Sequence, residues 1–285
     1  MTHSRSVALE KIVVYPVKSL RGIDVKQWPL TPQGLQYDRH WMLVMPNGRF
    51  VSQRQMPTMS LIDTAIEQES LILSADGHGE VRLPLVRQHH SEVLAATIWR
   101  DQCDVVEASD AASAWLNEVL KPVKPLRLVS MADDFIRPQS HPERFGEHTF
   151  TAFADAAPYL VANTASLERL NQQLQQQQMA SVDMRRFRPN LVVSGLDAFE
   201  EHRVRGLQHT DGVALELRDH CERCIMTTID PDSGQKAPDM EPFKTLIGLN
   251  PMPDNPKAPA FAVNATLASP GNTIWSVGDQ LNLVT

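Results

Sequence analysis

Cysteine is scarce in this chain. Its 285 residues include three, Cys103, Cys221 and Cys224. That is too few for a disulfide framework and fits a reducing, cytoplasmic location. Long apolar runs are missing too: none reaches the roughly 18 residues of a membrane-spanning helix. The opening MTHSRSVALEKI has one arginine and no apolar centre, so it does not read as a secretory signal peptide. Positive charge is not in excess. The formal net charge is -7, which argues against broad binding to nucleic acid or anionic membranes. Any basic site must therefore be built locally.

What is present is an ordinary globular composition, 42% hydrophobic and 21% charged, long enough for one or two domains. Short, often alternating apolar runs predict strands at KIVVYPV (11–17), WMLVM (41–45), SLILSA (70–75) and DVVEA (104–108). The same holds for LRLVS (126–130), PYLVA (158–162), NLVVSG (190–195), VALELR (213–218) and TIWSV (273–277). Twenty prolines and thirteen glycines cut these runs into pieces, a pattern of barrels or sandwiches rather than βαβ arrays. Helical spacing predicts a helix over 109–120, capped by Ser109 and Asp110, and another over 164–180. The second has Thr164 as cap and Leu167, Leu170 and Leu174 on one face. A short third helix is expected over 242–248. The polar stretch 131–157 reads as a long, irregular loop. It separates two β-rich halves, so a boundary is placed near residue 130.

Four segments could carry chemistry. In YPVKSLRG (15–22), Lys18, Ser19 and Arg21 follow a strand broken by Pro16. A lysine and a hydroxyl at a strand end suit a phosphate, with a basic surface turn as the plain alternative. In GLQYDRHWMLVMPNGRFVSQRQMP (34–57), Arg39 follows Asp38, and a PNG turn (46–48) leads to Arg54. An arginine beside a carboxylate is most often a structural ion pair. In RRFRPNLVVSG (185–195), three arginines precede Pro189 and Asn190. Guanidinium offers planar donors for phosphate or carboxylate, and the alternative is a basic turn closing the preceding helix.

The fourth, CERCIMTTIDPDSG (221–234), holds two cysteines three apart. A structural zinc site wants four ligands, and Cys103 is the one other cysteine. A thioredoxin-like pair wants its first cysteine at a helix N-terminus, whereas this pair follows a strand and IMTTI itself looks strand-like. A single thiolate near several cations and a small buried cysteine both stay open.

Taken in order, YPVKSLRG, GLQYDRHWMLV, SQRQMP, FADAAPYL, RFRPNLVVSG, CERCIMTTIDPDSG and SVGDQLNL resemble the MOSC superfamily, the molybdenum cofactor sulfurase C-terminal domain with its N-terminal β-barrel domain. The branch is the one that holds the mitochondrial amidoxime-reducing component and bacterial relatives. The resemblance implies a mainly β fold with some α. It places an N-terminal β-barrel domain at 1–130 and a MOSC β-barrel with a few peripheral helices at 131–285. It implies a molybdenum–molybdopterin cofactor, with Cys224 as the sulfur ligand to the metal. Lys18, Ser19, Arg39, Arg188 and Asn190 would hold the cofactor, Asp155 would approach the pterin, and Cys221 would stand behind. Ala154 occupies a position where the family often has serine. Pyridoxal phosphate binding is a further attribute attached to the family.

The implied activity is reduction of N-hydroxylated substrates such as amidoximes, hydroxylamines and N-hydroxylated bases. Asp155 and Asp230 are candidates for the proton donor. The chain lacks the four-cysteine ferredoxin domain of some relatives, so electrons are expected from a separate ferredoxin, flavodoxin or flavin reductase. The alternative activity is that of a sulfur or cofactor carrier presenting a cysteine persulfide.

Overall fold

The structure is a computed structural model, and it describes residues 5–86, 92–137, 139–268 and 273–284. Seven strands close into a barrel. They run in the order Leu191–Ser194, Tyr159–Asn163, Ala260–Leu267, Ala214–Glu222, Gly206–Gln208, Gln280–Val284 and Ser6–Val14, and the last pairs back with the first. Every pairing is antiparallel except Tyr159–Asn163 with Leu191–Ser194. That parallel pair needs a crossover, which the helix Thr164–Gln176 supplies. Strand Ser6–Val14 lies far before residue 130 in sequence, yet it closes the barrel built by the later strands.

The inner faces form one core that includes Leu9, Ile12, Tyr159, Leu191, Leu215 and Trp275. Strand Ser6–Val14 shows how sequence sets the face. Val7 and Leu9 point inward at odd positions, Ile12 and Val14 at even ones. A bulge between Leu9 and Lys11 supplies the extra residue that switches parity.

The N-terminal half holds a four-stranded antiparallel sheet of Trp41–Val44, Arg127–Met131, Asp101–Glu107 and Val93–Ile98. A three-stranded meander, Asp63–Glu67, Ser70–Ala75 and Gly79–Pro84, packs across a shared core with the helix Asp110–Leu120. The opposite face of the four-stranded sheet buries Cys103, Val105, Val129 and also Phe153. Phe153 belongs to the FAD segment, so the two halves are joined by a core side chain two residues from Asp155. Among the described residues no helix is long and apolar enough to cross a membrane.

The predicted strands and helices are present, with differences of physical interest. Ser109 caps its helix as expected, accepting from the Ala112 amide. The next helix is capped one residue earlier than expected, by Asn163, whose side chain accepts from Ala165 N. The 131–157 stretch contains a short helix, Pro142–Phe145, and buries Phe145 and Arg137. IMTT is not a strand. Residues Ile225–Thr228 form a 3-10 turn, with Cys224 just before it.

Candidate functional site

Lys18 sits just after the first barrel strand and is almost fully buried. Its ammonium donates to Phe153 O at 2.7 Å and to Asp155 Oδ1 at 2.5 Å. Burial draws the Lys18 pKa down to about 8, against the pull of Asp155. For Asp155, crowding alone would raise the pKa, but the Lys18 ammonium overrides it and holds the carboxyl far below its ordinary range. The indole Nε1 of Trp99 also donates to Asp155 Oδ1, at 2.9 Å. A carboxyl held this low is ionised at neutral pH, which argues against Asp155 as a proton donor. Asp230 is engaged in its own turn: its Oδ1 accepts from Asp232 N and Ser233 N, and its Oδ2 from Arg186.

Arg39 and Arg188 meet at Tyr15. Each guanidinium carbon lies 4.2 Å from the centroid of that buried ring. Arg39 donates to Asp38 at 2.6 Å and to Arg188 O at 3.1 Å. The ion pair expected from the sequence is therefore there, and it also fixes the arginine. Arg188 is different: its Nη2 is buried and has no hydrogen-bond partner among the described residues. Burial pulls its pKa down to about 10. The Ser60 hydroxyl, also buried and without a partner among the described residues, lines the same narrow cleft as Arg188, Tyr15 and Met226. A guanidinium donor and a hydroxyl left open in one cleft can both serve an anion.

Ser19, Arg39, Arg188 and Trp99 all adopt left-handed backbone, with φ of 72°, 47°, 53° and 56°. Such conformations are rare for residues other than glycine, and their clustering at one place marks strain held by the surrounding structure. Asn190 serves another purpose. Its Oδ1 accepts from Leu160 N and its Nδ2 donates to Val13 O. It ties three strand ends together and has little left for a ligand.

The thiol pair lies where strand Ala214–Glu222 ends, just past a bulge between His220 and Glu222. Cys224 is half-buried, and Arg54 Nη2 of the other half lies 2.9 Å from its Sγ. Cys221 Sγ is met by Arg223 at 2.9 Å. Burial pushes the Cys221 thiol up, so it holds its proton despite that arginine. Both cysteines are free. Among the described residues no group of three or more His, Cys, Asp or Glu is placed to hold a metal ion.

Comparison with known proteins decides the family. Residues 6–122 match the MOSC N-terminal beta barrel domain, and residues 148–281 match the MOSC domain. Mitochondrial amidoxime-reducing component 1 of Mus musculus is 31% identical over 283 residues, covering 95% of this chain and 80% of that protein. The chain belongs to the MOSC family. The Homo sapiens amidoxime-reducing component 1 is 30% identical over 95% of this chain and 81% of its own length. The molybdenum cofactor sulfurase of Bos taurus is 28% identical over 83% of this chain but 28% of its own length.

This MOSC protein thus brings Lys18 and Asp155 into contact and gathers Arg39 and Arg188 on one ring. Sequence reasoning named Arg54 without giving it a role, and it missed Trp99 and Arg137. Arg54 touches the thiol, and its guanidinium stacks 4.7 Å from the Trp99 ring centroid. Trp99 holds Asp155. Arg137, buried, clamps the FAD segment through Ala152 O and Ala154 O while paired with Asp101. Each acts across a long sequence separation, and no local pattern announces it.

Proposed function

We propose that the chain is a molybdenum-cofactor-binding oxidoreductase that reduces N-hydroxylated compounds. The carrying observation is a half-exposed thiol at the seam between the halves, with Arg54 on its sulfur, and an Arg188 donor, without a partner among the described residues, in the cleft lined by Met226 two residues further on. This donor set suits a group that offers a soft metal to sulfur and an anion to arginine. Cys224 would be the protein's sulfur ligand. Lys18, Arg39 and Arg188 would hold the anionic end, and Ser19 would offer its hydroxyl. When bound, the cofactor supplies the two-electron chemistry.

The net change is R–NHOH plus two protons and two electrons giving R–NH2 plus water. The electrons come from a separate donor protein of the ferredoxin, flavodoxin or flavin-reductase class. This chain's residues bind, orient and shape access. Asp155, ionised, keeps Lys18 charged and in place. The proton for the departing oxygen is drawn from solvent, because Trp99 (47%) and Ile225 (41%) leave this region open.

The match to a protein named molybdenum cofactor sulfurase supports a second reading, in which Cys224 carries a persulfide and no reduction occurs. One experiment separates them. Protein made in a host that synthesises the cofactor is assayed for molybdenum, for persulfide and for benzamidoxime reduction with a chemical electron donor. The reductase reading expects molybdenum near one per chain and loss of activity in Cys224→Ser. Equal rates in both proteins sink it, and persulfide without molybdenum favours the carrier.

A further inference from the structure

Beside the thiol, on the side of the N-terminal half, lies a cavity of about 360 Å³. Its walls combine Phe50 and Trp99 with Arg49, Arg54, Asn47 and Gln55. The two aromatic rings meet edge to face at 5.1 Å. Two of these residues also belong to the site: Arg54 touches Cys224 Sγ, and Trp99 holds Asp155. The cavity thus shares the Arg54 wall with the thiol, although Cys224 itself does not line it. Among the described residues neither Arg49 nor Arg54 is ion-paired with a carboxylate, and Arg49 is exposed at the cavity wall in a protein of net charge -7. Trp99 is exposed, and its left-handed backbone is an unfavourable conformation for a bulky residue, kept where the surroundings enforce it.

We propose that this cavity is the substrate subsite and that it selects a planar aromatic group carrying a carboxylate or phosphate. The ring lies against Trp99 and Phe50, and the anion is taken by Arg49, whose planar donors suit either acid. Arg54 marks the end nearest the sulfur. Arg49 and Trp99 are specificity-determining residues, not catalytic ones. The inference rests on the reductase reading for what is turned over, but binding is testable without turnover.

The test measures binding by calorimetry with two matched pairs of non-reducible probes: 4-carbamoylbenzoate against benzamide, and cytidine 5′-monophosphate against cytidine. The anionic member of at least one pair is expected to bind at least about tenfold more tightly, the effect of one charge-assisted contact. Preference for the carbamoylbenzoate assigns small aromatic acids as the source of the anion, and preference for the nucleotide assigns nucleotides. Arg49→Ala should collapse the ratio toward one. Trp99→Leu should weaken both members of the favoured pair severalfold, while Trp99→Phe restores most of the loss. Thermal melts check that each variant is folded. Equal binding within both pairs, or a ratio that survives Arg49→Ala, overturns the proposal. Benzamidoxime and 4-carboxybenzamidoxime are then compared as substrates of the molybdenum-loaded protein. Reduction of neither, with the binding ratio intact, is failure of the reductase reading. Reduction of benzamidoxime with a binding ratio of one is failure of this inference.

Discussion

Lys18 Nζ and Asp155 Oδ1 meet at 2.5 Å across 137 residues of sequence. The ammonium is buried, its side chain 7% exposed, while the carboxylate side is 52% exposed. The Asp155 pKa is depressed, so its stabilisation is complete above the ordinary carboxylate range and is lost as pH falls through the depressed value. Lys18 binds its proton more weakly folded, at about 8 against an ordinary 10.5. Between those values the unfolded chain holds the extra proton, so the Lys18 contribution moves in favour of the fold as pH rises. The attraction between the two exists only while Lys18 is charged. Asp155→Asn is therefore expected to cost about 1–2 kcal/mol at pH 7, less than the about 3–5 of a fully buried pair because the carboxylate is half exposed. The cost should shrink as pH rises through about 8. Thermal melts at pH 6.5 and 9.5 check this, and a larger cost at the higher pH contradicts it.

Gly22 closes the YPVKSLRG turn against Tyr15. A Cβ there would meet the Tyr15 ring at 2.5 Å and the Val13 side chain at 2.8 Å. That ring holds both Arg39 and Arg188. Gly22→Ala should displace it, at about 1–3 kcal/mol for overpacking, and lower molybdenum retention with it. Denaturant melts and metal analysis of the purified variant test both. Unchanged stability and unchanged metal content would show that the ring has room to move.

The three cysteines should differ in reactivity. Cys103 is in the core, and burial pushes its thiol up to about 11. Burial also raises Cys221, and a protonated thiol is neither a good nucleophile nor a good metal ligand. Iodoacetamide at pH 7.5 should label Cys224 first, and Cys224→Ser should remove nearly all fast labelling. Cys221→Ser should retain molybdenum within about twofold of wild type, as expected for a near-isosteric substitution outside the ligand set. Mass spectrometry after brief labelling, with metal analysis, reads both. Fast labelling at position 221 would reverse the assignment.

Strands such as Ser70–Ala75 and Leu191–Ser194 were legible because alternation or a short apolar run bounded by turn residues is a local signal. The role of Ser6–Val14 was not. Its pattern says strand, but its barrel partners Leu191–Ser194 and Gln280–Val284 lie in the far half of the chain, the second at its opposite end, and nothing local encodes those pairings. IMTT carries β-branched residues, yet Thr227 and Thr228 turn their hydroxyls back onto Cys224 O and Ile225 O. That competition with the backbone favours a turn over a strand. At the site, the charged residues of quoted motifs were visible. Arg54 was named without a role and Trp99 was not singled out, because an arginine after a hairpin and an exposed tryptophan acquire meaning only from what the other half brings to them.

Asn190 separates a binding role from a structural one. Its position in RFRPN made it a candidate to hold the cofactor. Its side chain instead accepts from Leu160 N at 3.2 Å and donates to Val13 O at 3.3 Å, and it also hydrogen-bonds the buried Asp38 carboxylate that fixes Arg39. Removing the amide leaves a backbone donor and acceptor buried without partners, each at about 1–3 kcal/mol. Asn190→Ala should therefore lower stability by about 2–4 kcal/mol, whether or not cofactor is present. Asn190→Asp keeps the acceptor but sets a second charge beside Asp38, so it should be no better. A residue that only touched the cofactor would behave differently: stability without cofactor would stay at the wild-type value while molybdenum content fell. Chemical denaturation of cofactor-free protein decides between them, and a wild-type midpoint for Asn190→Ala would return Asn190 to the binding set.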